Sequence, residues 1–329
     1  MPLIARLVTR KGNEVGGGSS KKQIMSNNYN RNSGYGVAFA DQLAGIAPTS
    51  GKHLVVVPDS TDAETQKKFF NLFPNDPEAQ TMFFTSIMAA VTYGNLVPGR
   101  CDVIYIMPGN YAENVVLNND NVQLVGIQSS LFAKPNIAPT TGPAVIMSGK
   151  GQVIKNLNIS SNDGSSPAVV TSKLNPTISN CFISALNSTA ILVTPGQNGG
   201  SFNAVVDSCD INSSSQGIVF VNIATYQSKD VKITNCKFWG NSGSDIASSY
   251  SGTSSFVVPA VSITESLFLD LNKTVYIDLS GGTKDNGIIS DNYFANKAAA
   301  LASSQVVLGN DIVFAGNYDA YGVVDGHTF

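Results

Sequence analysis

Between residues 150 and 322, apolar and polar positions follow one short pattern that recurs seven times. In each copy an apolar residue precedes two residues of the kind found in turns, and three residues then alternate inward, outward and inward. Alternation with period two is typical of β-strands rather than helices. The pattern predicts two short strands joined by a tight bend in every copy. The copies are 153–159, 177–183, 205–211, 232–238, 262–268, 288–294 and 313–319.

The second turn-type residue of each copy marks the predicted bend. Asn, Asp and Gly tolerate the left-handed backbone conformation better than other residues, so one such residue turns the chain without breaking the stack of strands. Glu265 suits this role least. The seven bend residues are Asn156, Asn180, Ser208, Asn235, Glu265, Asp291 and Gly316.

The copies recur at a nearly constant interval. Their fifth residues lie 24, 28, 27, 30, 26 and 25 residues apart. A period in this range indicates a solenoid, in which each coil buries its apolar face by stacking on its neighbours. The spacing of leucine-rich repeats and the Ala- and Leu-rich stretches of helical repeats are absent. We therefore predict an all-β parallel β-helix over 101–322, with adjacent coils about 4.8 Å apart.

Three cysteines occupy one inward position in successive copies: Cys181, Cys209 and Cys236. Parallel Cβ directions oppose disulfide formation between stacked residues. We expect a reduced ladder of small apolar side chains, which suits synthesis in a reducing cytosol.

The residues before the repeats differ from them in pattern. The segment 51–100 is expected to form a capping strand and an amphipathic helix that cover the open end of the solenoid. Asp76 as N-cap and Pro77 at the first helical position mark the helix start, and Gly94 marks its end. Phe83, Phe84, Ile87, Met88 and Val91 are placed on this helix. Residues 323–329 are assigned to a C-terminal tail.

Residues 1–50 are expected to form an extended, flexible arm. Its first 31 residues carry six basic side chains and one acid, Glu14, so their net charge is 6 − 1 = +5, against −3 for the whole chain. This asymmetry predicts docking on an acidic protein surface; the alternative is a solvated tail without a partner. The basic residues are Arg6, Arg10, Lys11, Lys21, Lys22 and Arg31.

No signal-peptide core is found in the arm, and the chain has no run of 18 apolar residues, so no membrane association is expected. No direct contact with nucleic acid is expected either.

The stretch 101–128 resembles the opening coils of the pectin-lyase-like superfamily of right-handed β-helices. With the strand and helix before it, 53–128 is also similar to a pattern of bacteriophage β-helix proteins, and with the later coils the resemblance covers about 53–322. It implies a right-handed single-stranded parallel β-helix and a virion structural role. The matching residues are Pro108, Gly109, Tyr111, Glu113, Val122, Leu124 and Gly126.

Enzymes of that superfamily pair carboxylates with Arg or Lys on an outer face. No arginine occurs in 101–329, and the two histidines, His53 and His327, lie near no candidate acid pair. Asp207 and Asp210 are the one weak candidate for an acid–base pair, which needs two carboxyl groups roughly 5–9 Å apart. Metal-ligand spacings are absent, and no cofactor is expected.

The outward position of the last three copies carries Leu267, Tyr293 and Tyr318. A contiguous apolar stripe of this kind marks an interface with protein or sugar; the alternative is burial under a crossing loop.

The sequence therefore leads us to expect a non-enzymatic phage virion protein, made in the host cytoplasm. The preferred role is capsid decoration, docked through the arm on the major capsid protein or another virion protein. A homo-oligomer, with a trimer as the default, and contact with a host glycan are further expectations. The alternative is a tail-associated protein that binds or degrades polysaccharide.

Overall fold

The computed structural model shows a parallel β-helix, as the repeats predict. It describes residues 53–58, 83–93, 102–127, 134–194, 203–223, 230–251, 257–258, 261–280, 283–284, 287–307 and 312–324. The predicted arm, its basic residues, Asp76, Pro77 and Gly94 lie outside these ranges.

The first strands and the first helix belong to the cap and the early coils. In chain order they are β1 (His53–Val56), β2 (Phe83–Phe84), α1 (Ile87–Val91), β3 (Val103–Ile106), β4 (Asn110–Tyr111), β5 (Val115–Leu117), β6 (Gln123–Gly126), β7 (Asn136–Ile137), β8 (Val145–Met147), β9 (Val153–Lys155), β10 (Asn158–Ser161), β11 (Val169–Thr171), β12 (Thr177–Ser179), β13 (Phe182–Ala185) and β14 (Thr189–Val193).

The later coils continue the same order. They contain β15 (Val205–Asp207), β16 (Asp210–Asn212), β17 (Gln216–Ile223), β18 (Val231–Thr234), β19 (Lys237–Trp239), β20 (Ile246–Ser251), β21 (Val257–Val258), β22 (Val261–Thr264), β23 (Leu267–Phe268), β24 (Ile277–Asp278), β25 (Thr283–Lys284), β26 (Gly287–Ser290), β27 (Tyr293–Phe294), α2 (Lys297–Val307), β28 (Ile312–Ala315), β29 (Tyr318–Asp319) and β30 (Gly322–Val323).

Three long sheets run along the solenoid, because each strand pairs with its counterpart in the next coil. Sheet A has the order β2-β1-β3-β6-β9-β12-β15-β18-β22-β26-β28, and its pairings are parallel. Sheet B has the order β30-β29-β27-β23-β19-β16-β13-β10-β7-β4, and sheet C has the order β24-β20-β17-β14-β11-β8-β5. The inward residues of the three sheets form one continuous apolar core. No helix in the described residues has the length and apolar character needed to cross a bilayer.

The bend between sheets A and B is one residue in the left-handed conformation, as the repeats predict. The φ angle is 60° at Asn156, 55° at Ser208, 54° at Glu265 and 68° at Gly316. Glu265 adopts this conformation although glutamate favours it little, because the strands on both sides keep the register of the neighbouring coils.

The inward residue after each bend forms a ladder through the solenoid. Cys181, Cys209 and Cys236 are buried free thiols, which confirms the predicted ladder. In the last coils the same position is polar and also buried. There the Asn292 side chain accepts a hydrogen bond from the Ser266 backbone N–H at 2.9 Å and donates one to the Ile263 carbonyl at 3.0 Å. These side chains satisfy backbone groups that the bend leaves unpaired.

Aromatic rings fill the core of the later coils. The Phe268 ring lies 4.9 Å from Phe238 and 4.7 Å from Phe294, measured between ring centroids in near-parallel stacks. Earlier coils place Ile159, Ile183 and Ile211 at this inward position, each fully buried. The core therefore changes from aliphatic to aromatic along its length.

Glu113 of the Pro-Gly-x-Tyr-x-Glu motif holds the N-terminal cap on the first coil. Its carboxylate accepts hydrogen bonds from the backbone N–H groups of Ile87 and Met88, at 2.7 and 2.9 Å, and from the Ser86 hydroxyl. These backbone groups have no partner within α1, so the carboxylate caps the helix.

The structure corrects the predicted extent of the capping helix. Phe83 and Phe84 form β2, which pairs with β1, and the helix begins after Ser86 as its N-cap. The physical reason is pairing along the open edge of sheet A: β2 satisfies backbone groups of β1 that a helix here would leave without partners.

At the other end, α2 covers the last strand of sheet C. The Ser303 hydroxyl accepts hydrogen bonds from the backbone N–H groups of Tyr276 and Ile277, at 3.0 and 3.1 Å. These groups belong to the end of sheet C, where no further strand of that sheet follows. The buried Ser303 hydroxyl therefore accepts the hydrogen bonds that a further strand of sheet C would otherwise accept.

Candidate functional site

One row of side chains on the outer face of sheet B carries most of the polar and aromatic groups that we consider for function. Backbone pairing places its members in register on successive coils, so neighbours are separated by one strand spacing of about 4.8 Å. All of them are at least partly exposed. We name this set the outer row of sheet B: Asn110, Asn136, Asn158, Phe182, Asp210, Lys237, Leu267, Tyr293 and Tyr318.

The outer face of sheet C has a different character. Its half-buried outward residues in the earlier coils include Val116, Ile146 and Val170, which carry no polar side-chain atoms. In these coils sheet B therefore carries polar outward groups where sheet C carries apolar ones.

An ion pair and an indole ring meet near the middle of sheet B. The Trp239 indole N–H donates a hydrogen bond to the Asp210 carboxylate at 2.5 Å, and the Lys237 ammonium lies 3.8 Å from the same carboxylate. The Lys237 nitrogen is also 5.5 Å from the centroid of the Trp239 ring. Trp239 is 37% exposed, so part of its ring is accessible to a ligand while Asp210 holds its indole N–H.

The loop after Trp239 is clamped by a buried charge cluster. The Lys273 ammonium lies 3.2 Å from carboxylate oxygens of both Asp245 and Asp270, and it donates to the backbone carbonyls of Asn241 and Gly243 at 2.6 Å. Burial raises the pKa of Asp245 to about 6, although the Lys273 ammonium and the Asn241 amide act in the opposite direction.

This cluster reaches the residue next to the indole. The Gly240 backbone N–H donates to the Asp270 carboxylate at 2.6 Å. We call Asp245, Asp270 and Lys273 the buried clamp, because together they fix the backbone that carries Trp239. The clamp was not predictable from the sequence, since nothing in the local sequence shows that Lys273 is buried.

Asp207 and Asp210, the candidate acid pair, lie on opposite sides of the bend at Ser208. Asp207 is the last residue of β15 in sheet A, and it accepts hydrogen bonds from Ser208, Thr234 and Asn235. Asp210 opens β16 in sheet B. Among the described hydrogen bonds, the two carboxylates share no partner. Their side chains extend from two different outer faces.

The predicted apolar stripe is exposed on the later coils. Leu267 is 39% exposed and Tyr318 is 45% exposed, so in the described structure no crossing loop buries these two residues. The rings of Tyr293 and Tyr318 lie 5.6 Å apart between centroids. The partner of this stripe stays a prediction.

A polar pocket lies at the other end of the outer row. Its volume is about 420 Å³, and its lining consists of Pro108, Gly109, Asn110, Lys134, Asn136 and Asn158. Lys134 forms part of the lining, and its ammonium group donates to the Asn180 backbone carbonyl at 2.6 Å and to its side-chain oxygen at 3.2 Å. The sequence analysis did not single out Lys134 or these asparagines as a site.

Within the described ranges, no group of three or more His, Cys, Asp or Glu side chains is arranged to hold a metal ion.

Comparison with known proteins supports the fold. No family model matches the chain, and no curated protein matches it. Among solved structures, the pectate lyase Pel9A has a TM-score of 0.52 and 12% identity, and the match covers 84% of this chain and 72% of that one. Pectin methylesterase PemA from Erwinia chrysanthemi has a TM-score of 0.49 and 13% identity, with 86% and 92% covered.

A rhamnogalacturonan lyase gives a TM-score of 0.42 and 16% identity, with 74% of this chain and 75% of that chain covered. At 12% identity and a TM-score of 0.52, the likeness to Pel9A shows the fold alone. The chain has the pectin-lyase-like right-handed parallel β-helix fold.

The expectation that the protein is not an enzyme is contradicted: the pectate lyase Pel9A, which has the same fold, is a carbohydrate-active enzyme, so this fold gives no ground for excluding catalysis. The expectation relied on the absence of arginine from 101–329. That absence concerns arginine within the solenoid alone, and lysine also supplies a cation for a substrate. Lys237 and Lys134 place such cations on the outer face of sheet B.

Proposed function

We propose that the protein acts on a polysaccharide, which it binds along the outer face of sheet B. The observation that carries this proposal is the exposed Trp239 ring, held by Asp210 and accompanied by Lys237. The likeness of the fold to carbohydrate-active enzymes supports it.

The chemistry of a sugar ring fits these three groups. A pyranose has an apolar face of C–H groups, which packs on an aromatic ring, and a rim of hydroxyl groups, which bond to carboxylates and ammonium groups. The hydrogen bond to Asp210 fixes the indole before binding, so less side-chain freedom is lost when the ligand arrives.

A sugar bound on this face meets one carboxylate and one ammonium group, namely Asp210 and Lys237. Cleavage by two carboxylic acids requires both groups to flank the same glycosidic bond, at separations of roughly 5–9.5 Å. Asp207 extends from sheet A, beyond the bend, so it is poorly placed for that role. Because Asp207 is poorly placed as a second acid, the assay proposed below measures both cleavage of the polysaccharide chain and removal of its substituents.

The test is a panel of neutral and acidic polysaccharides, with binding followed by affinity electrophoresis and reaction by reducing ends, unsaturated products and released substituents. We expect at least one polymer to be bound and altered. Trp239→Ala should weaken that binding by about tenfold or more, as removal of a central tryptophan commonly does.

The matched control is Leu301→Ala, which shortens a side chain of equal exposure, 37%, on α2. It should leave binding unchanged. If no polymer is bound or altered, or if both variants behave alike, the proposal is wrong.

We also propose that the protein is carried on a phage particle and is held there by its N-terminal arm. The +5 charge of residues 1–31 and the similarity of 53–128 to phage β-helix proteins support this location. The proposed partner is the major capsid protein or another virion protein with an acidic surface, and the proposed assembly is a homotrimer. Deleting residues 1–31 should abolish incorporation into particles. Normal incorporation would contradict docking through the arm.

A further inference from the structure

The pocket at Lys134 and the Trp239 site lie on one line. From Asn110 to Lys237 the outer row of sheet B contains six residues in unbroken register. Five strand spacings of about 4.8 Å separate its ends, or roughly 24 Å. We name this part of the row, together with Lys134 and Trp239, the sheet B track.

The pocket end of the track has side chains that can form hydrogen bonds with the hydroxyl groups of a sugar. The side chains of Asn110, Asn136 and Asn158 lie on consecutive coils, and each amide offers both donors and an acceptor. The Asn136 amide donates to the Asn110 side-chain oxygen at 3.1 Å, which leaves other atoms of both amides for a ligand. The pocket, of about 420 Å³, is an open depression, so a ligand bound there stays partly exposed to solvent.

Lys134 adds a positive charge to this pocket. Two hydrogen bonds to Asn180 hold its ammonium group, which has three N–H donors, so one donor is available to a ligand. In the described part of the chain, no carboxylate is recorded within ion-pair distance of Lys134. Its recorded hydrogen bonds thus orient the ammonium through neutral partner atoms.

The middle of the track continues the same chemistry. Phe182 is half-buried between Asn158 and Asp210, so part of its ring remains open for a sugar face. Beyond Lys237 the outer row becomes Leu267, Tyr293 and Tyr318, which lack amide and carboxylate groups. The polar track therefore ends at the coil of Trp239.

We infer that the pocket at Lys134 is a second sugar subsite, and that one extended linear glycan occupies the sheet B track from this pocket to Trp239. The repeat of an extended pyranose chain is close to the strand spacing, so the track accommodates about five sugars. This inference rests on the proposed function and deepens it: the substrate class is a linear chain of at least that length, lying parallel to the solenoid axis.

The experiment is an affinity series with purified oligosaccharides of two to ten sugars, made from the polymer identified in the panel. Affinity should rise with length until about five sugars and then level off. Lys134→Met should weaken binding of the long oligosaccharides by about tenfold, because a hydrogen bond to a charged group is lost. The same variant should leave disaccharide binding, which needs only the Trp239 site, unchanged.

Two further variants keep the result interpretable. Asn136→Leu replaces the amide with an apolar side chain of nearly the same size, so the pocket loses hydrogen-bonding groups. It should reproduce the effect of Lys134→Met without changing Lys134. Lys155→Met is the matched control, since Lys155 lies on the outer face of sheet A, and it should bind all lengths normally.

The outcomes separate this inference from the proposed function. If oligosaccharides bind in a Trp239-dependent manner but neither pocket variant affects any length, the second subsite is wrong and the proposed function stands. If affinity is already maximal for a disaccharide, the extended track is wrong. If no oligosaccharide binds, both fail.

Discussion

Single residues at the A–B bend decide whether coils can stack. Most bend residues are types that tolerate a left-handed backbone, and this is why the bends were predictable from the sequence. The hydrogen bonds behind the bend were not predictable: Asn292 serves a backbone group of the preceding coil, 26 residues away. Such a partner depends on the stacking itself, which the local sequence does not contain.

Glu265 is the bend residue for which a stabilising substitution is expected. Its φ of 54° is unfavourable for glutamate, and its side chain is exposed. Glu265→Asn should raise the free energy of unfolding by about 0.5–1 kcal/mol, because the left-handed backbone conformation is less unfavourable for asparagine than for glutamate. Chemical denaturation measures the change. Glu265→Gln keeps the unfavourable backbone and should be neutral; equal stabilisation by both variants would contradict the explanation.

At the scale of elements, the strands were predictable and the connections between them were not. Period-two alternation located the strands of sheets A and B, because one face of each strand is buried. The predicted helix wrongly included Phe83 and Phe84, since their helical spacing did not reveal that they pair with β1. The buried clamp belongs to the connection between sheets B and C, where burial is set by the packing of two loops from different coils.

The clamp predicts a pH dependence of stability. The pKa of Asp245 is about 6 in the folded protein and about 3.9 in the unfolded chain. Between these values the folded state binds a proton that the unfolded state does not, so stability falls as pH rises from about 4 to about 6. This shift of about two pKa units corresponds to a decrease of roughly 3 kcal/mol at most in the free energy of unfolding. Thermal or urea unfolding across this range measures the slope.

Asp245→Asn should flatten this slope, because it removes the titrating carboxyl group. Asp278→Asn, which changes a partly exposed acid in β24, should keep it. A wild-type slope of the opposite sign, or one that persists unchanged in Asp245→Asn, would show that the clamp does not dominate the titration.

At the scale of the whole molecule, the repeat period was sufficient to predict the fold but not the role. The same stacked architecture supports many activities, so function depends on which side chains share an outer face. Trp239 and Asp210 were both visible in the sequence. Their contact was not, because it joins adjacent coils 29 residues apart. Lys134 was missed for the same reason.

In a solenoid, a destabilising mutation affects mainly the adjacent coils, because each coil contacts only its neighbours. Phe268→Ala removes a fully buried ring from the aromatic stack and should cost about 3–5 kcal/mol. Hydrogen exchange should show lost protection in β19, β23 and β27, with β9 and β10 close to normal.

Ile183→Ala provides the reciprocal control, since Ile183 occupies the corresponding inward position in β13. It should lower protection in β10, β13 and β16 while leaving β27 close to normal. Uniform loss of protection in both variants would show that the described coils unfold as one cooperative unit.

The one-residue bend between sheets A and B has a practical consequence for engineering. An extra amino acid at this corner would shift the following strand by one position and turn its core side chains toward solvent. The interval between copies nevertheless varies from 24 to 30 residues, so the variation is absorbed at the other two corners. Foreign peptides grafted there would be displayed at regular heights along a rigid scaffold, whereas the same grafts at the A–B corner would disrupt it.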